Sequence, residues 1–206
     1  MNKNLLLSIL IFGLIHQTAR SQDEWELRKD KNGIRVYSRS SDIIPFDELK
    51  AETILAFSPE TLLNVVLDIK NYPEWVSDVE SARLLSREGD TAQTYYSVIG
   101  VPFPFEDRDV VYYNTFQFDE NFNSLVITIE AVNDVMNEQD DYVRMSFGKG
   151  KWTAKKTDEG HSSVSLQMLA DPGGNIPAWL VNKFIVDSPF NTLSNLKEFG
   201  KKEQYQ

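Results

Sequence analysis

Apolar and polar positions alternate along most of the chain, and a period of two predicts β-strands. Ile34 and Val36 alternate with polar neighbours, and the stretch 49–55 alternates in the same way. From Ala82 onward one alternating segment follows another, and the segments are separated by turn residues such as Gly89-Asp90. The strands predicted in this part are 82–88, 93–100, 108–118, 124–132, 142–149, 151–156 and 162–170.

Two segments have the spacing of a helix instead. Ser58 is placed to cap the first helix, Pro59 fits its first turn, and an apolar stripe follows from Leu62 to Ile69. The second helix is predicted from about Ile176 to Lys202, and Pro189 within it predicts a kink or a break.

The beginning of the terminal helix is the most informative part of the pattern. Pro172 cannot extend a strand, and Gly173-Gly174 allows a sharp turn. The residues that follow, from Trp179 to Val186, are apolar around most of the helix, so we expect this helix to be covered. It either roofs an apolar cavity or closes an ordinary core, and the pattern alone leaves both interpretations open.

A run of strands followed by a long helix indicates an α+β fold and excludes a doubly wound α/β sheet. The simplest way to bury the terminal helix is a strongly curved antiparallel sheet wrapped around it. The length of 206 residues favours a single domain.

Residues 1–21 have the features of a secretory signal peptide. Lys3 precedes an apolar run from Leu5 to Ile15, and Ala19-Arg20-Ser21 provides a small-x-small cleavage site. The alternative is an uncleaved membrane anchor. We therefore expect export to the periplasm or the medium, with the mature domain spanning 22–206.

Composition excludes several classes of function. The chain has no cysteine, which excludes disulfides, thiol nucleophiles and cysteine-bound metals. Removal of residues 1–21 takes away Lys3 and Arg20 and no acidic residue, so the net charge changes from −10 to −12. Such a surface repels nucleic acid and anionic lipid headgroups, and we expect no nucleic-acid partner.

Three segments resemble a START domain, the lipid-transfer relative among the helix-grip folds. They are the beginning of the terminal helix (171–182), the Pro-Phe-Pro…Arg-Asp segment (101–109) and the aromatic turn from Tyr72 to Trp75. The resemblance covers roughly Trp25 to Lys202 and suggests a bacterial secreted or periplasmic member. It implies an incomplete barrel with a tunnel, closed by the terminal helix, that holds one lipid or sterol-like molecule.

The chain departs from the family pattern at two positions. In members that carry phosphatidylcholine, an Arg follows the Tyr of the aromatic turn, whereas Pro73 and Glu74 follow Tyr72 here. In sterol-carrying members a second Arg lies six positions after the Arg of the Arg-Asp pair, and that position is Asn114 here. The resemblance therefore does not identify the ligand.

Nine residues are candidates for contact with a ligand. Arg108, Tyr112 and Asn114 share one face of the strand 108–118 and would form a polar spot in an apolar tunnel. Arg108 has a second interpretation, in which it pairs with Glu106 or Asp107 and fixes the loop. The other candidates are large side chains that could equally belong to an ordinary core: Trp75, Tyr95, Met168, Trp179, Val181 and Phe184.

The preferred hypothesis is a non-enzymatic carrier or sensor of a hydrophobic molecule, monomeric and without a cofactor or metal, that makes transient contact with membranes. One alternative is an enzyme, a cyclase or hydrolase, that uses the same cavity. Its acid-base groups are not evident, because His161 is the only histidine of the mature chain and follows Gly160 at a turn. A second alternative is an interaction module with a filled core.

Overall fold

The computed structural model describes residues 24–158 and 160–205. Within them the chain forms ten β-strands, three α-helices and two short 3-10 helices. The strands are β1 (Glu26–Lys31), β2 (Ile34–Arg39), β3 (Glu48–Leu55), β4 (Val79–Glu88), β5 (Ala92–Ile99), β6 (Arg108–Phe118), β7 (Ser124–Ala131), β8 (Val143–Arg144), β9 (Phe147–Asp158) and β10 (His161–Asp171). The helices are α1 (Pro59–Leu67), α2 (Ala178–Phe184) and α3 (Asp187–Phe199), and the 3-10 helices are Ile69–Glu74 and Glu203–Tyr205.

All strands belong to one sheet with the order β1-β2-β3-β10-β9-β7-β6-β5-β4. Neighbouring strands in this order are antiparallel, and β8 runs parallel to the beginning of β6. The sheet curves around the helices and does not close, so the predicted α+β fold, a curved antiparallel sheet gripping a C-terminal helix, is confirmed.

The concave face of the sheet is filled by α1 and α3. Ser58 caps α1 by accepting a hydrogen bond from the Thr61 amide, and Pro59 occupies the first turn, as the sequence predicted. The stripe of α3 buries Phe190, Leu193, Leu196 and Phe199 against the same core. These helices, with the 3-10 helix Ile69–Glu74 between α1 and β4, leave a cavity on one side of the core.

The terminal helical segment differs from the prediction of one helix from Ile176 to Lys202. It consists of α2 and α3, and the break falls at Ile185–Val186 rather than at Pro189. Pro189 lies in the first turn of α3, where its missing N–H is tolerated, but it cannot donate to the carbonyl of Ile185. The regular hydrogen bonding is therefore interrupted one turn before the proline.

The strands predicted at 142–149 and 151–156 were also wrong in detail. In place of the first, the structure has only the two-residue strand β8, and in place of the second it has the twelve-residue strand β9. Gly148 and Gly150 lie inside β9, because glycine at these positions leaves room for side chains of neighbouring strands.

The predicted signal peptide, residues 1–21, lies outside the described residues. Among the residues that the structure describes, no helix is long and apolar enough to cross a membrane.

Candidate ligand-binding cavity

A partly open cavity of about 150 Å³ lies between the concave face of the sheet, the aromatic turn and the first turns of α3. Most of its surface is apolar. Its lining is Tyr72, Trp75, Val76, Ser77, Val79, Tyr95, Ser97, Ile99, Tyr112, Ile129, Lys149, Gly150, Trp152, Leu166, Met168, Ala170, Ser188 and Thr192.

Aromatic rings form the inner wall of this cavity. Trp75 and Tyr72 meet edge to face with ring centroids 5.1 Å apart, and Tyr72 meets Tyr95 in the same way at 5.3 Å. Tyr95 continues the row to Tyr112 at 5.6 Å, and Trp75 reaches Trp152 at 6.3 Å. Such contacts fix the rings in place, so the wall is rigid and apolar.

Two glycines of β9 shape the opposite wall. A Cβ atom at Gly148 would lie 3.1 Å from the ring of Tyr112, and one at Gly150 would lie 3.3 Å from the side chain of Ile129. Both distances are tighter than ordinary van der Waals contact, so larger residues at these positions would have to displace Tyr112 and Ile129, which both line the cavity.

Among the described residues, the lining carries no carboxylate and no imidazole, and its tyrosines are neutral. Burial raises the pKa of Tyr112 to about 12. Burial is also the main reason why the pKa of Tyr95 lies well above its ordinary value, to which Tyr72 and Tyr112 add, while the nearby Asn114 amide acts in the opposite direction. Lys149 belongs to the lining, but its neighbours Gly148 and Gly150 face the cavity side of β9. Successive strand residues point to opposite faces, so the Lys149 side chain points away, and its ammonium group lies over the ring of Phe147 at 5.9 Å. We conclude that no charged side chain of the described lining projects into the cavity.

Arg108 lies outside the cavity, at the turn that precedes α2. Its guanidinium group donates hydrogen bonds to the carbonyl oxygens of Pro172 (3.1 Å), Gly173 (3.4 Å) and Glu106. Arg108 therefore fixes the loop, as its second interpretation supposed, but it does so through backbone carbonyls rather than a carboxylate. The turn needs its glycines, because Gly173 and Gly174 have φ angles of 68° and 66°.

Asp109 points to the convex face, where it forms a buried ion pair. Arg144 donates two hydrogen bonds to its carboxylate, at 2.9 and 2.8 Å, and two more to the carbonyl oxygens of Met136 and Asn137. The Arg-Asp pair of the sequence therefore serves two purposes, since Arg108 holds the turn before α2 and Asp109 holds β8 and the 132–142 loop.

Four of the nine candidate residues meet in the cavity: Trp75, Tyr95, Tyr112 and Met168. Asn114 is fully buried two residues beyond Tyr112 on β6, next to Tyr95. Trp179 and Val181 lie on α2 outside the lining, and the side chain of Phe184 is outside the described part of the structure.

The expectation that the beginning of the terminal helix is covered was wrong for α2, as the exposure of Trp179 shows. Its side chain is 68% exposed, and none of the described α2 side chains is buried. The sequence analysis also missed the lining residues Ile99, Ile129 and Leu166. The alternation along β5, β7 and β10 places them on the concave face, and that signal could have identified them.

Other candidate sites are less suitable. A more open groove of about 350 Å³ lies beside the β2–β3 connection and includes the charged residues Arg39, Asp42, Glu48 and Lys151. Because it is more open than the cavity and a larger share of its surface is polar, it suits a hydrophobic ligand less well. His161 is exposed, its Nδ1 lies 2.8 Å from the carboxylate of Asp158, and it does not line the cavity. Within 24–158 and 160–205 there is no group of three or more residues suited to holding a metal ion.

The sequence and the fold of this chain are similar to those of known proteins. The sequence model of the START domain matches residues 12–204. A solved STAR-related lipid transfer protein of Xanthomonas axonopodis is 33% identical with a TM-score of 0.80, covering 87% of this chain and all of that chain. The phosphatidylcholine transfer protein of Mus musculus is 24% identical over 172 residues, which are 82% of this chain and 79% of the relative. The Zhui aromatase/cyclase of Streptomyces sp. R1128, at 12% identity and a TM-score of 0.50, shares the fold over 74% of this chain and 90% of its own.

Proposed function

Because this chain belongs to the START domain family, we propose that it binds and transfers a hydrophobic molecule in the cavity between the sheet and α3, without catalysing a reaction. The observation that carries the proposal is the aromatic cavity itself, into which none of the described charged side chains projects. Apolar burial provides the affinity of such a site, and a few polar groups orient the ligand. The absence of carboxylate and imidazole groups from the described lining favours binding over acid-base catalysis.

The size of the cavity requires the protein to open. At 150 Å³ it is smaller than the roughly 300–1,000 Å³ of pockets that hold drug-sized ligands. A lipid therefore enters only if part of the wall moves outward. We propose that α2 moves, together with the first turn of α3, which contributes Ser188 to the lining.

Two features make α2 the movable part. It is bounded by the Gly173-Gly174 turn and by the break at Ile185–Val186. Among the described side chains of α2, Asn182 attaches the helix to Asp47. It accepts a hydrogen bond from the Asp47 amide at 3.1 Å and donates one to the Asp47 carboxylate at 3.2 Å. Arg108 holds the preceding turn. Opening therefore breaks a small number of polar contacts and exposes little additional apolar surface.

The end of the molecule that carries α2 is also the end that we propose to touch membranes. Exposed apolar side chains are grouped there on three segments: Phe103 (96% exposed), Trp179 (68%) and Ile43 (67%). The segments are linked, since Arg108 joins the β5–β6 connection to the turn before α2, and Asn182 joins α2 to the β2–β3 connection. Exposed aromatic groups suit the interfacial region of a bilayer, and the acidic surface keeps the contact weak.

We further propose that the protein is exported as a monomer whose mature chain begins at Gln22. N-terminal sequencing of the protein recovered from the periplasm or the medium tests the cleavage site. A chain that still carries residues 1–21 and stays in the membrane fraction would support the anchor instead.

The binding proposal is tested on protein purified under native conditions. Native mass spectrometry and solvent extraction should give one hydrophobic molecule per chain, and the protein should carry a fluorescent lipid between vesicles. Protein that contains no such molecule, and that also fails to take up fluorescent lipids, contradicts the proposal.

A further inference from the structure

The open groove beside the β2–β3 connection is larger than the hydrophobic cavity, and the proposed binding of a hydrophobic molecule does not use it. Its volume of about 350 Å³ lies within the roughly 300–1,000 Å³ of pockets that hold small ligands, whereas the cavity has about 150 Å³. The groove is formed by parts of β9 and β10 together with residues 40–43. Its side chains indicate which kind of molecule it suits.

Two pairs of side chains on neighbouring strands form the floor of the groove. Lys151 lies opposite Gln167, and Lys149 lies opposite Leu169. Successive residues of a strand point to opposite faces, so these side chains lie on the convex face, away from the cavity that Gly150 lines. The two lysines are two positions apart on β9, which separates their Cα atoms by roughly 7 Å. Their long side chains can therefore reach the same anion.

The arginine of the groove already has a partner. Arg39 forms an ion pair with Glu48, in which the nearest nitrogen and oxygen atoms are 2.6 Å apart. Its guanidinium group also lies over the ring of Trp25, 4.5 Å from the centroid. Arg39 and Glu48 thus neutralise each other, and the charge available to a ligand comes from the remaining lining residues.

The remaining charges favour an anionic ligand. They are the two cations Lys149 and Lys151 and the single carboxylate of Asp42, and all three side chains are exposed. Within 24–158 and 160–205 neither lysine forms an ion pair; Glu130 lies opposite Lys149 in the β7–β9 ladder but does not line the groove. The groove therefore has an excess of positive charge in a chain whose net charge is −10.

The neighbouring uncharged groups narrow the class of ligand further. Lysine ammonium groups bind phosphate as point charges, and a phosphate monoester carries a charge of about −1.5 to −2, which two lysines match better than they match a single carboxylate. The amide of Gln167 and the hydroxyl of Ser40 can donate to and accept from hydroxyl groups. The hydroxyl of Ser41 accepts from the Ile43 amide at 3.1 Å and keeps its own proton for a ligand.

We propose that the groove binds a phosphate ester of a small hydroxylated molecule. The phosphate lies between the ammonium groups of Lys149 and Lys151, and the hydroxyl groups of the ligand lie against Ser40 and Gln167. Soluble glycerol phosphates and the headgroup of phosphatidylglycerol share this chemistry. The site lies on the opposite face of the sheet from the hydrophobic cavity, so it does not depend on the lipid-binding function proposed above.

One consequence of the site does rest on that function. Residues 40–43 belong to the β2–β3 connection, and the same connection ends at Asp47, which shares two hydrogen bonds with Asn182 of α2. A ligand that binds to 40–43 restricts the motion of the connection and thereby stabilises the attachment of α2. An occupied groove should therefore slow the opening of α2 and the release of a bound lipid.

Nuclear magnetic resonance titrations in phosphate-free buffer of low ionic strength test the site. Glycerol 3-phosphate should shift the backbone amide signals of 40–43, 149–151 and 167–169, and added salt should reduce these shifts. Glycerol is the uncharged control and should leave the signals unchanged. Shifts spread evenly over the surface, or equal shifts with both probes, would show that the groove does not recognise phosphate.

Vesicles distinguish the two sources of the phosphate. Phosphatidylcholine vesicles with and without phosphatidylglycerol are sedimented with the protein. Stronger sedimentation with phosphatidylglycerol, lost in Lys151→Gln, assigns the groove to a lipid headgroup. Binding of glycerol 3-phosphate without this difference between vesicles assigns it to a soluble ester. If neither glycerol 3-phosphate nor phosphatidylglycerol binds, the proposal is wrong.

Three variants assign the binding to the groove. Lys151→Gln should weaken the binding of glycerol 3-phosphate by about three- to tenfold, because it removes one of two charged donors. Lys155→Gln is the matched control, since Lys155 is an exposed lysine on the same face of β9 outside the groove, and it should change nothing. Asp42→Asn should tighten binding, because it removes the opposing carboxylate. Equal weakening by both lysine variants would indicate general attraction to the surface and contradict a site.

Two further readouts separate this site from lipid binding. Lys151 does not line the cavity, so Lys151→Gln should keep the melting temperature and the uptake of fluorescent lipid of the original protein. Saturating glycerol 3-phosphate should slow amide hydrogen exchange across 178–184 by about fivefold or more. Shifts in the groove without slower exchange would support the site and contradict its link to α2, whereas a failure of lipid uptake in the original protein would contradict the lipid-binding function alone.

Discussion

The two halves of the terminal helical segment, α2 and α3, differ in a way that their composition does not predict. The sequence of α2, Ala-Trp-Leu-Val-Asn-Lys-Phe, is the more apolar of the two, yet none of its described side chains is buried. The mixed sequence of α3 buries six residues. Apolar content alone therefore does not decide burial. The i, i+3 stripe of α3 meets the concave face of the sheet, whereas α2 lies over the loops at the end of the sheet.

The contacts that hold the two helices differ in the same direction. Thr192 of α3 accepts from the Ser77 amide at 3.0 Å, Lys197 donates to the Asn32 carbonyl at 2.9 Å, and Phe199 stacks on Trp75. These polar contacts add to a buried apolar stripe, while the described contacts of α2 are mainly those of Asn182 and those of Arg108 at the turn before it. Elements with little buried surface open at low free energy, so α3 is suited to holding the fold and α2 to admitting a ligand.

A cross-link between α2 and the β2–β3 connection should have the largest effect on function. Replacing Asp47 and Asn182 by cysteine allows a disulfide where these side chains now meet. The original chain has no cysteine, so no other disulfide can form. Because the bond prevents α2 from moving, lipid exchange between vesicles should slow by about tenfold or more in the oxidised form and recover on reduction.

The same double replacement with serine controls for the loss of the Asp47–Asn182 contacts. Exchange that proceeds equally fast in the oxidised and reduced forms, with the disulfide confirmed by mass spectrometry, would show that the ligand enters by another route.

Removing one side chain from each helix should show the difference in stability. Leu193→Ala on α3 removes a fully buried side chain and should lower the free energy of unfolding by about 2–5 kcal/mol. Trp179→Ala on α2 removes a larger side chain but one that is mostly exposed, so the change should stay within about 0.5 kcal/mol. Urea denaturation measures both values, and equal losses would contradict the assignment of different roles to the two helices.

Much of this organisation could be predicted from the sequence. The bounds of β6 agree with the predicted 108–118, and Ser58-Pro59 marks the beginning of α1, because alternation and capping are local signals. The fold class followed from the order of the elements.

The parts that could not be predicted depend on contacts between distant segments. The exposure of Trp179 depends on which loops surround α2, and the burial of Arg108 depends on the carbonyls of Pro172 and Gly173, which are 64 and 65 residues away. The extension of β9 through Gly148 and Gly150 depends on the positions of Tyr112 and Ile129. No periodic pattern within one segment contains this information.

Weakening the attachment of α2 should have an intermediate effect. Arg108→Gln removes charged donors to the carbonyls of Pro172 and Gly173, and a hydrogen bond to a charged group contributes about 1.5–3 kcal/mol. We expect faster amide hydrogen exchange across 172–186 and faster lipid exchange, with little change in the protection of α3. Arg35→Gln is the control, because Arg35 is an exposed arginine of β2 with only a loose ion pair to Glu52. A uniform loss of protection over both helices would instead assign Arg108 to the stability of the whole fold.

The smallest effect concerns the carboxylate that contacts α2. Burial is the main reason why the pKa of Asp47 is raised from its ordinary value of 3.8; Arg28 opposes the shift and Glu26 adds to it. A group with a raised pKa binds its proton more tightly in the folded state, so ionised Asp47 disfavours the folded state at neutral pH. That penalty disappears as the pH falls through the raised pKa toward 3.8.

Asp119, in the turn between β6 and β7, should behave in the opposite way. Hydrogen bonds from the Ser124 hydroxyl and from backbone amides lower its pKa to about 2, so its stabilising contribution is present above pH 3.8 and is lost as the pH falls toward 2. Asp47→Asn should therefore slow the amide exchange of α2 slightly at neutral pH, and the difference from the original protein should vanish near pH 4. Asp119→Asn should weaken the β6–β7 turn at neutral pH, and this effect should disappear only as the pH falls from 3.8 toward 2. The two replacements are expected to change amide exchange in opposite directions at neutral pH. If both change it in the same direction, the carboxylate of Asp47 is not buried by the docking of α2, and the difference between the two helices would need another cause.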